Sequence, residues 1–232
     1  MTYVIQPPAQ PSVPVVGTEA RFPVHRIYCV GRNYAAHARE MGSDPSREPP
    51  FFFCKPADAV TSAANGETLQ LPYPAETQNY HYEVEMVVAL AKGGSNIAPE
   101  DALSHVFGYG IGLDMTRRDL QGRMKDGGRP WEIGKAFEQS APMAAIYPVS
   151  AVGHPENAEI WLHVNGIEKQ RGNINDLIWP VADVISYLSR FFTLQPGDLI
   201  MTGTPEGVGP VVAGDTLRGH IEGLGELQVQ II

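Results

Sequence analysis

One segment of the chain, residues 80–90, reads Tyr80-His81-Tyr82-Glu83-Val84-Glu85-Met86-Val87-Val88-Ala89-Leu90. Its apolar part, residues 84–90, predicts a central β-strand. Because an extended strand sends residues i and i+2 to the same side, Glu83 and Glu85 are expected to project together. Two adjacent carboxylates repel each other unless a cation, a shared proton or water relieves them, and a hard divalent cation suits this role. A solvated strand face is the alternative for an isolated Glu-x-Glu.

The composition is typical of one globular domain with many turns. The chain has 232 residues, of which 43% are hydrophobic, and this content is enough for a sizeable core. The formal net charge of -9 argues against a nucleic-acid partner, because phosphate backbones attract basic surfaces. No segment approaches the ~18 apolar residues of a membrane span, and the N-terminus lacks the pattern of a signal peptide. We therefore expect a soluble, cytoplasmic protein that does not bind membranes.

The first residues differ in composition from the rest. Residues 1–23 are expected to form a proline-rich N-terminal arm that lies extended on the body or on a neighbouring subunit. The prolines that favour this are Pro7, Pro8, Pro11 and Pro14. No repeat or linker divides residues 24–232, which we predict to be a single domain.

A short helix over residues 33–41 carries the first reactive pair. His37 and Glu40 are three residues apart and share a helix face. A carboxylate in this position can orient or polarise an imidazole, although a surface ion pair is the alternative. Because residues 42–50 are rich in Gly, Pro and Ser, the helix is predicted to belong to a mobile flap.

A second strand with glycine at alternate positions, residues 107–114, ends at Asp114. The glycines leave room for close backbone approach, and Asp114 could meet Glu83 and Glu85. The next helix, residues 115–125, places Arg118 and Gln121 on one face. Lys135 is a cation in an apolar run, for which a surface lysine is the alternative.

Three further patterns predict core elements. The Asn165-Gly166 pair predicts a β-hairpin. Helical spacing predicts a core-packing helix whose apolar face is Val184, Ile185, Leu188, Phe191 and Phe192. Alternation predicts a closing strand that buries Leu227, Val229 and Ile231.

The segment Thr202-Gly203-Thr204-Pro205 precedes a glycine-rich stretch. Such a turn can offer backbone N–H groups and two hydroxyls to an anionic ligand, although an ordinary tight turn is the alternative.

In this order and spacing the motifs resemble the fumarylacetoacetate hydrolase family, from about residue 26 to the C-terminus. The stretches that carry the resemblance are Val30-Gly31-Arg32-Asn33-Tyr34 with His37 and Glu40, Phe53-Cys54-Lys55-Pro56, Tyr82-Glu83-Val84-Glu85, Leu113-Asp114 through Gln121, Gly134-Lys135, Val164-Asn165-Gly166 and Thr202 through Gly209.

The resemblance implies a mainly β fold with α (α+β), a mixed β-sandwich roll that is usually a homodimer. It also implies Mg²⁺ or Mn²⁺ on Glu83, Glu85 and Asp114. The chemistry of the residues agrees, because three carboxylates without a Cys or His ligand favour a hard ion.

The resemblance further assigns roles to individual residues. The catalytic residues it implies are His37 and Glu40, on a lid that orders over the substrate, and Lys135. The substrate-contacting residues it implies are Arg118, Gln121, Thr202, Gly203 and Thr204. For the far carboxylate of the substrate, charge alone favours Arg32, with Lys55 or Arg123 behind it.

Within the family, the lead-in Glu76-Thr77-Gln78-Asn79-Tyr80-His81 looks most like the bacterial fumarylpyruvate hydrolase branch of gentisate breakdown. This implies hydrolysis of the carbon–carbon bond of an acylpyruvate, most specifically fumarylpyruvate to fumarate and pyruvate. Oxaloacetate decarboxylation, or isomerisation or decarboxylation of 2-hydroxyhepta-2,4-diene-1,7-dioate, is an alternative on the same metal-held enolate. A non-catalytic metal-dependent binding module would not need His37 or Glu40. Metal-assisted phosphoryl transfer is disfavoured because a Gly-Lys-Ser/Thr phosphate loop is lacking.

Overall fold

The protein is described from a computed structural model that covers residues 2–40, 49–64 and 66–232, with residues 38–40 as backbone only. Within these residues the strands are β1 Ser12–Pro14, β2 Arg21–Pro23, β3 Ile27–Gly31, β4 Phe51–Lys55, β5 Val60–Ser62, β6 Thr68–Leu71, β7 Tyr80–Tyr82, β8 Val84–Leu90, β9 Val106–Leu113, β10 Thr116–Arg117, β11 Ala141–Met143, β12 Tyr147–Pro148, β13 Glu159–Val164, β14 Ile167–Asn173, β15 Leu199–Met201, β16 Gly209–Val211, β17 Thr216–Ile221 and β18 Gly225–Ile231. The α-helices are α1 Ala35–Glu40, α2 Pro99–Ala102, α3 Arg118–Asp126, α4 Glu132–Lys135, α5 Val149–Val152 and α6 Val181–Leu188, and 3₁₀ turns lie at Ala57–Ala59, Leu103–His105 and Ile174–Asp176.

Two larger sheets form the body of the molecule. An eight-stranded sheet has the order β4-β3-β15-β8-β9-β11-β5, with β12 also paired to β9, and a five-stranded sheet has the order β14-β13-β17-β18-β6. Most strand pairs are antiparallel, but β3 with β15, β5 with β11, and β6 with β18 are parallel. The sheets pack on each other where Gly219 of β17 meets Val84 and Ile111. The predicted α+β fold with mixed sheets is confirmed.

Strand β8 is central and buried along its whole length. Its alternate residues face two different cores, since Met86 and Val88 belong to the cluster between the large sheets, whereas Val87 and Ala89 belong to a second cluster. A strand covered on both faces is expected to be continuously apolar. This explains the apolar run in the sequence and confirms the predicted central strand.

The second core lies under the N-terminal residues. Strands β1 and β2 pair with each other, and their Val13 and Phe22 are buried in the same cluster as Val87 and Ala89. Part of the predicted arm is thus packed on the body as a two-stranded ribbon. The predicted domain boundary after residue 23 remains a prediction.

The end of α6 differs from the sequence prediction. Phe191 and Phe192 were expected on the core-packing face, but they are 59% and 39% exposed. The helix ends at Leu188, and Ser189 turns its hydroxyl back to the carbonyl of Ser186 while accepting the N–H of Ile97. The helical spacing therefore stops before the two phenylalanines.

Two other local predictions are confirmed. Asn165 and Gly166 have φ angles of 51° and 79° and connect β13 to β14 as a tight hairpin. The closing strand β18 buries its Leu227, Val229 and Ile231. Among the helices within the described residues, none is long and apolar enough to cross a membrane.

The alternate glycines of β9 are required by close packing. A Cβ atom at Gly108 would lie 2.3 Å from the carbonyl oxygen of Tyr147 in β12. Gly110 and Gly112 meet Ile146 and Val87 at 2.9 and 3.0 Å in the same way. The predicted close backbone approach is therefore confirmed.

We expect Gly108→Ala to lower the free energy of unfolding by about 1–3 kcal/mol, because the added methyl overpacks against a backbone oxygen. Urea denaturation measures the change. Gly122→Ala is the control, since nothing lies within 4 Å of its Cβ position in α3, and this change should stabilise by about 0.5–1 kcal/mol. A Gly108→Ala protein as stable as wild type would contradict the packing of β12 on β9.

Candidate active site

Three carboxylates meet where β8 and β9 pair. Glu83 is the single residue between β7 and β8, Glu85 lies in β8, and Asp114 directly follows β9. Antiparallel pairing of Val84 with Leu113 brings them to one end of the sheet, and the Asp114 N–H donates to the carbonyl of Glu83 at 2.9 Å. One oxygen from each carboxylate lies within 4.8 Å of the others, and all three side chains are buried. The predicted meeting of Asp114 with the Glu83/Glu85 pair is thus observed.

Cationic side chains surround this acidic cluster. The ammonium of Lys135 lies 2.8 Å from Glu83 Oε2 and 2.7 Å from Asp114 Oδ2. The ammonium of Lys55 lies 2.8 Å from Asp114 Oδ1, and the Arg118 guanidinium forms an ion pair with Glu83 Oε1. Burial alone lowers the pKa of Lys135, but Asp114 and Glu83 outweigh it and raise that pKa, so the ammonium stays charged.

The two lysines are more deeply placed than the sequence indicated. Lys135 and Lys55 are only 2% and 1% exposed, which excludes the alternative of a surface lysine at position 135. Lys55 was expected behind Arg32 at the far end of the substrate. Instead it lies beneath Asp114 and also donates to the backbone carbonyls of Met115 and Lys135.

Glu85 differs electrostatically from Glu83. Burial raises the pKa of both, but Lys135 and Arg118 bring that of Glu83 well below its usual range. For Glu85, burial and the neighbouring Asp114 and Glu83 raise the pKa, opposed by a 2.8 Å hydrogen bond from the Gly203 N–H. Within the described residues Glu85 has no ammonium or guanidinium ion-pair partner. An all-oxygen donor set with one uncompensated carboxylate fits a hard divalent cation.

The cluster forms the floor of a pocket that is open to solvent. Gln121 accepts a 2.6 Å hydrogen bond from the Arg118 guanidinium, as their shared helix face predicted. His37, from α1, is 6% exposed and lines the same pocket, as does Arg32. The side chain of Glu40 and the larger part of the predicted flap, residues 41–48, lie outside the described residues, so the His37–Glu40 pair and the lid stay predictions.

The Thr202–Thr204 turn supports the cluster from another side. Gly203 has a φ of 99°, and a Cβ atom there would meet the Cβ of Asn33 at 2.8 Å, so glycine is required. Gly203 and Thr204 line the pocket. The Thr202 hydroxyl donates to the Met86 carbonyl at 3.1 Å, which directs it to the backbone of β8.

Two buried side-chain amides, which no sequence pattern had marked as site residues, connect the turn to β8 and to the neighbouring backbone. Gln170, in β14, accepts the N–H of Val84 at 3.0 Å and donates to the Thr204 hydroxyl and the Pro205 carbonyl, each at 2.8 Å. It therefore links the peptide between the two glutamates to the neighbouring turn. Because Gln170 lies between charged residues, its sequence context resembles an exposed strand and does not indicate that the side chain is buried.

Asn33 has the corresponding role beneath the turn. It is fully buried, and its amide nitrogen donates to the carbonyls of Thr202 and Trp179 at 2.8 and 3.0 Å. Its oxygen accepts the Trp179 N–H at 2.7 Å. The sequence feature that could have indicated this role is the position of Asn33 within the Gly-Arg-Asn-Tyr motif.

Sequence comparison places this site in a known family. The family model described as "Fumarylacetoacetate (FAA) hydrolase C-terminal" matches residues 26–232. The chain belongs to the fumarylacetoacetate hydrolase family. The resemblance inferred from the motifs is thereby confirmed.

Three members of the fumarylacetoacetate hydrolase family illustrate its range. The chain is 61% identical to a fumarylpyruvate hydrolase from Pseudomonas aeruginosa whose crystal structure contains Mn²⁺ and pyruvate, with a TM-score of 0.99 and coverage of 100% of this chain and 99% of that one. It is 46% identical to a fumarylpyruvate hydrolase of Ralstonia sp., over 81% of this chain and 95% of the relative. It is 40% identical to a mitochondrial oxaloacetate tautomerase of Arabidopsis thaliana, over 89% and 90% of the two chains.

We expect Gln170→Met to lower the free energy of unfolding by about 2–4 kcal/mol, because the Val84 N–H and the Pro205 carbonyl each lose their buried partner. Urea denaturation measures this loss. Gln230→Met, on the exposed side of β18, is the control and should change stability by no more than about 0.5 kcal/mol. Equal stability of the two variants would contradict the bridging role of Gln170.

Proposed function

We propose that the protein is a metal-dependent hydrolase that cleaves the carbon–carbon bond of an acylpyruvate, with fumarylpyruvate as the substrate and fumarate and pyruvate as products. The observation that carries the proposal is the buried Glu83, Glu85 and Asp114 cluster with Lys135, at the floor of a pocket. It is supported by full-length similarity to a fumarylpyruvate hydrolase crystallised with Mn²⁺ and pyruvate.

The three carboxylates are the proposed ligands of Mg²⁺ or Mn²⁺. When bound, the cation supplies Lewis-acid stabilisation of the negative charge that develops on the pyruvyl oxygens. Lys135 remains between Glu83 and Asp114, where two of its three N–H donors are directed at those carboxylates. The third donor is available to a developing oxyanion of the substrate.

The remaining roles belong to side chains of the pocket wall. His37 accepts the proton of the water that attacks the acyl carbonyl, and Glu40 orients its imidazole. When the carbon–carbon bond breaks, its electron pair stays on the departing pyruvate as an enolate, and the His37 imidazolium returns the proton to the enolate carbon, which becomes the methyl group of pyruvate. Arg118 and Gln121, which are hydrogen-bonded to each other, bind the pyruvyl carboxylate. Gly203 and Thr204 border this end of the substrate. Because the ion pair with Glu83 fixes the Arg118 guanidinium, this side chain loses little conformational freedom when the substrate binds.

The direct test is the ultraviolet absorbance of fumarylpyruvate mixed with the purified protein and Mn²⁺, repeated with a chelator, with the products identified. The proposal expects chelator-sensitive loss of the enol band and equal amounts of fumarate and pyruvate. The same protein is then given oxaloacetate, because of the similarity to an oxaloacetate tautomerase. Release of CO₂ from oxaloacetate, or interconversion of its keto and enol forms, without cleavage of fumarylpyruvate would contradict the hydrolase. The protein would then be an oxaloacetate decarboxylase or tautomerase.

We expect Mn²⁺ to stabilise the protein by about 2.7 kcal/mol at a concentration one hundred times its Kd, since it binds the folded chain. Glu85→Gln should abolish this gain and make the metal-free protein more stable, because one of three mutually repelling carboxylates is removed. Thermal unfolding with and without Mn²⁺ measures both effects. The exposed Glu100 provides the control Glu100→Gln, which should respond to Mn²⁺ like wild type. Stabilisation of Glu85→Gln by Mn²⁺ would exclude Glu85 as a ligand.

We expect His37→Ala to reduce kcat by on the order of 10²–10⁴, the usual contribution of a general base. Added imidazole should restore part of the activity, and stabilisation by Mn²⁺ should persist. Steady-state kinetics with fumarylpyruvate measures the loss, and His105→Ala, outside the pocket, is the control. Nearly full turnover by His37→Ala would remove this residue from the mechanism.

The family resemblance also implies a homodimer, a cytoplasmic location and a place in gentisate-type aromatic catabolism. These three statements stay predictions. Analytical ultracentrifugation tests the first, and a monomer at micromolar concentration would contradict it.

A further inference from the structure

One face of α3 runs along the pocket. Arg118, Gln121 and Lys125 are the α3 residues that line it. Their spacing of three and seven residues places them on the same helix face, with Lys125 about 10 Å along the axis from Arg118. Because Arg118 contacts Glu83 at the floor, Lys125 marks the opposite, outer end of the pocket.

Part of the pocket wall is aromatic. The Trp131 ring packs on Phe51 and Phe53, with centroids 5.4 and 5.8 Å apart, and all three residues line the pocket. The Arg32 guanidinium lies 5.4 Å from the centroid of Phe51 on this wall. Arg32 also has a φ of 59°, a conformation that costs free energy for a non-glycine residue and often occurs at functional sites.

The distribution of charge along the pocket is uneven. Among its described lining residues, the acidic ones are Glu83, Glu85 and Asp114, all at the floor. The lining residues also include the cations Lys125, which is exposed, and Arg32. A complementary ligand therefore has a metal-binding head, an apolar part and a negative charge remote from the head.

We propose that Lys125, together with Arg32, is the subsite for the distal carboxylate of a seven-carbon acylpyruvate. This inference rests on the proposed function. The six carbon–carbon bonds of extended fumarylpyruvate span about 7 Å, so with its pyruvyl carboxylate at Arg118 its distal carboxylate lies along α3 in the direction of Lys125, whose level is ~10 Å away. Oxaloacetate, with three such bonds, is about 3.5 Å shorter.

The experiment compares Lys125→Met with wild type on fumarylpyruvate and on acetylpyruvate, which has the same head but lacks the distal carboxylate. We expect KM for fumarylpyruvate to rise about tenfold, as for loss of one charge-assisted hydrogen bond. Its kcat should change less than about twofold, because the lysine is remote from the bond that breaks. Both constants for acetylpyruvate should be unchanged, and Lys125→Arg should retain most of the affinity for fumarylpyruvate.

Arg123, which charge alone placed behind Arg32, is exposed and is not among the described residues that line the pocket. Lys92→Met is the control, because Lys92 is also exposed and is not among those residues. It should leave both substrates unaffected. An unchanged KM for fumarylpyruvate in Lys125→Met, or an equal loss with both substrates, would overturn the subsite. If wild type cleaves neither substrate, the proposed function itself fails and the subsite with it.

Discussion

The structure depends on keeping three carboxylates buried within a few ångströms of one another. A buried charge without a partner costs several kcal/mol, so Glu83, Glu85 and Asp114 require compensation at the same point in the core. Lys135 and Lys55 supply part of it from elements distant in sequence. A site that concentrates unfavourable charge in this way is typical of function, because the free energy it costs is returned when a ligand completes it.

The two large sheets make this arrangement possible by restraining the backbone around it. Strand β8 is held by β9 and β15 on its edges and by apolar cores on both faces. Gln170 then fixes the Val84 peptide between the two glutamates, and Asn33 fixes the turn that donates to Glu85. Buried amides with all their hydrogen bonds satisfied specify one geometry, which is what a preorganised site needs.

The pocket also contrasts with the charge of the whole protein. The chain has a formal net charge of -9, but its pocket is also lined by Arg32 and Lys125, and cations surround the acidic floor. Local charge inside a cleft with low-dielectric walls has a larger effect on a ligand than the screened charge of the outer surface. An acidic protein can therefore bind a dianionic substrate.

The sequence by itself determined the elements whose signals are local. The continuous apolar run predicted β8, the Asn165-Gly166 pair predicted the hairpin, and the alternate glycines predicted the tight packing of β9. The order of the motifs identified the family and, with it, the three carboxylates. Only the tertiary structure decided the environment of Lys55, Gln170, Lys125 and Phe191. Whether such a side chain is buried, paired or exposed depends on strands and helices that are distant in sequence, and that information is absent from the residues beside it.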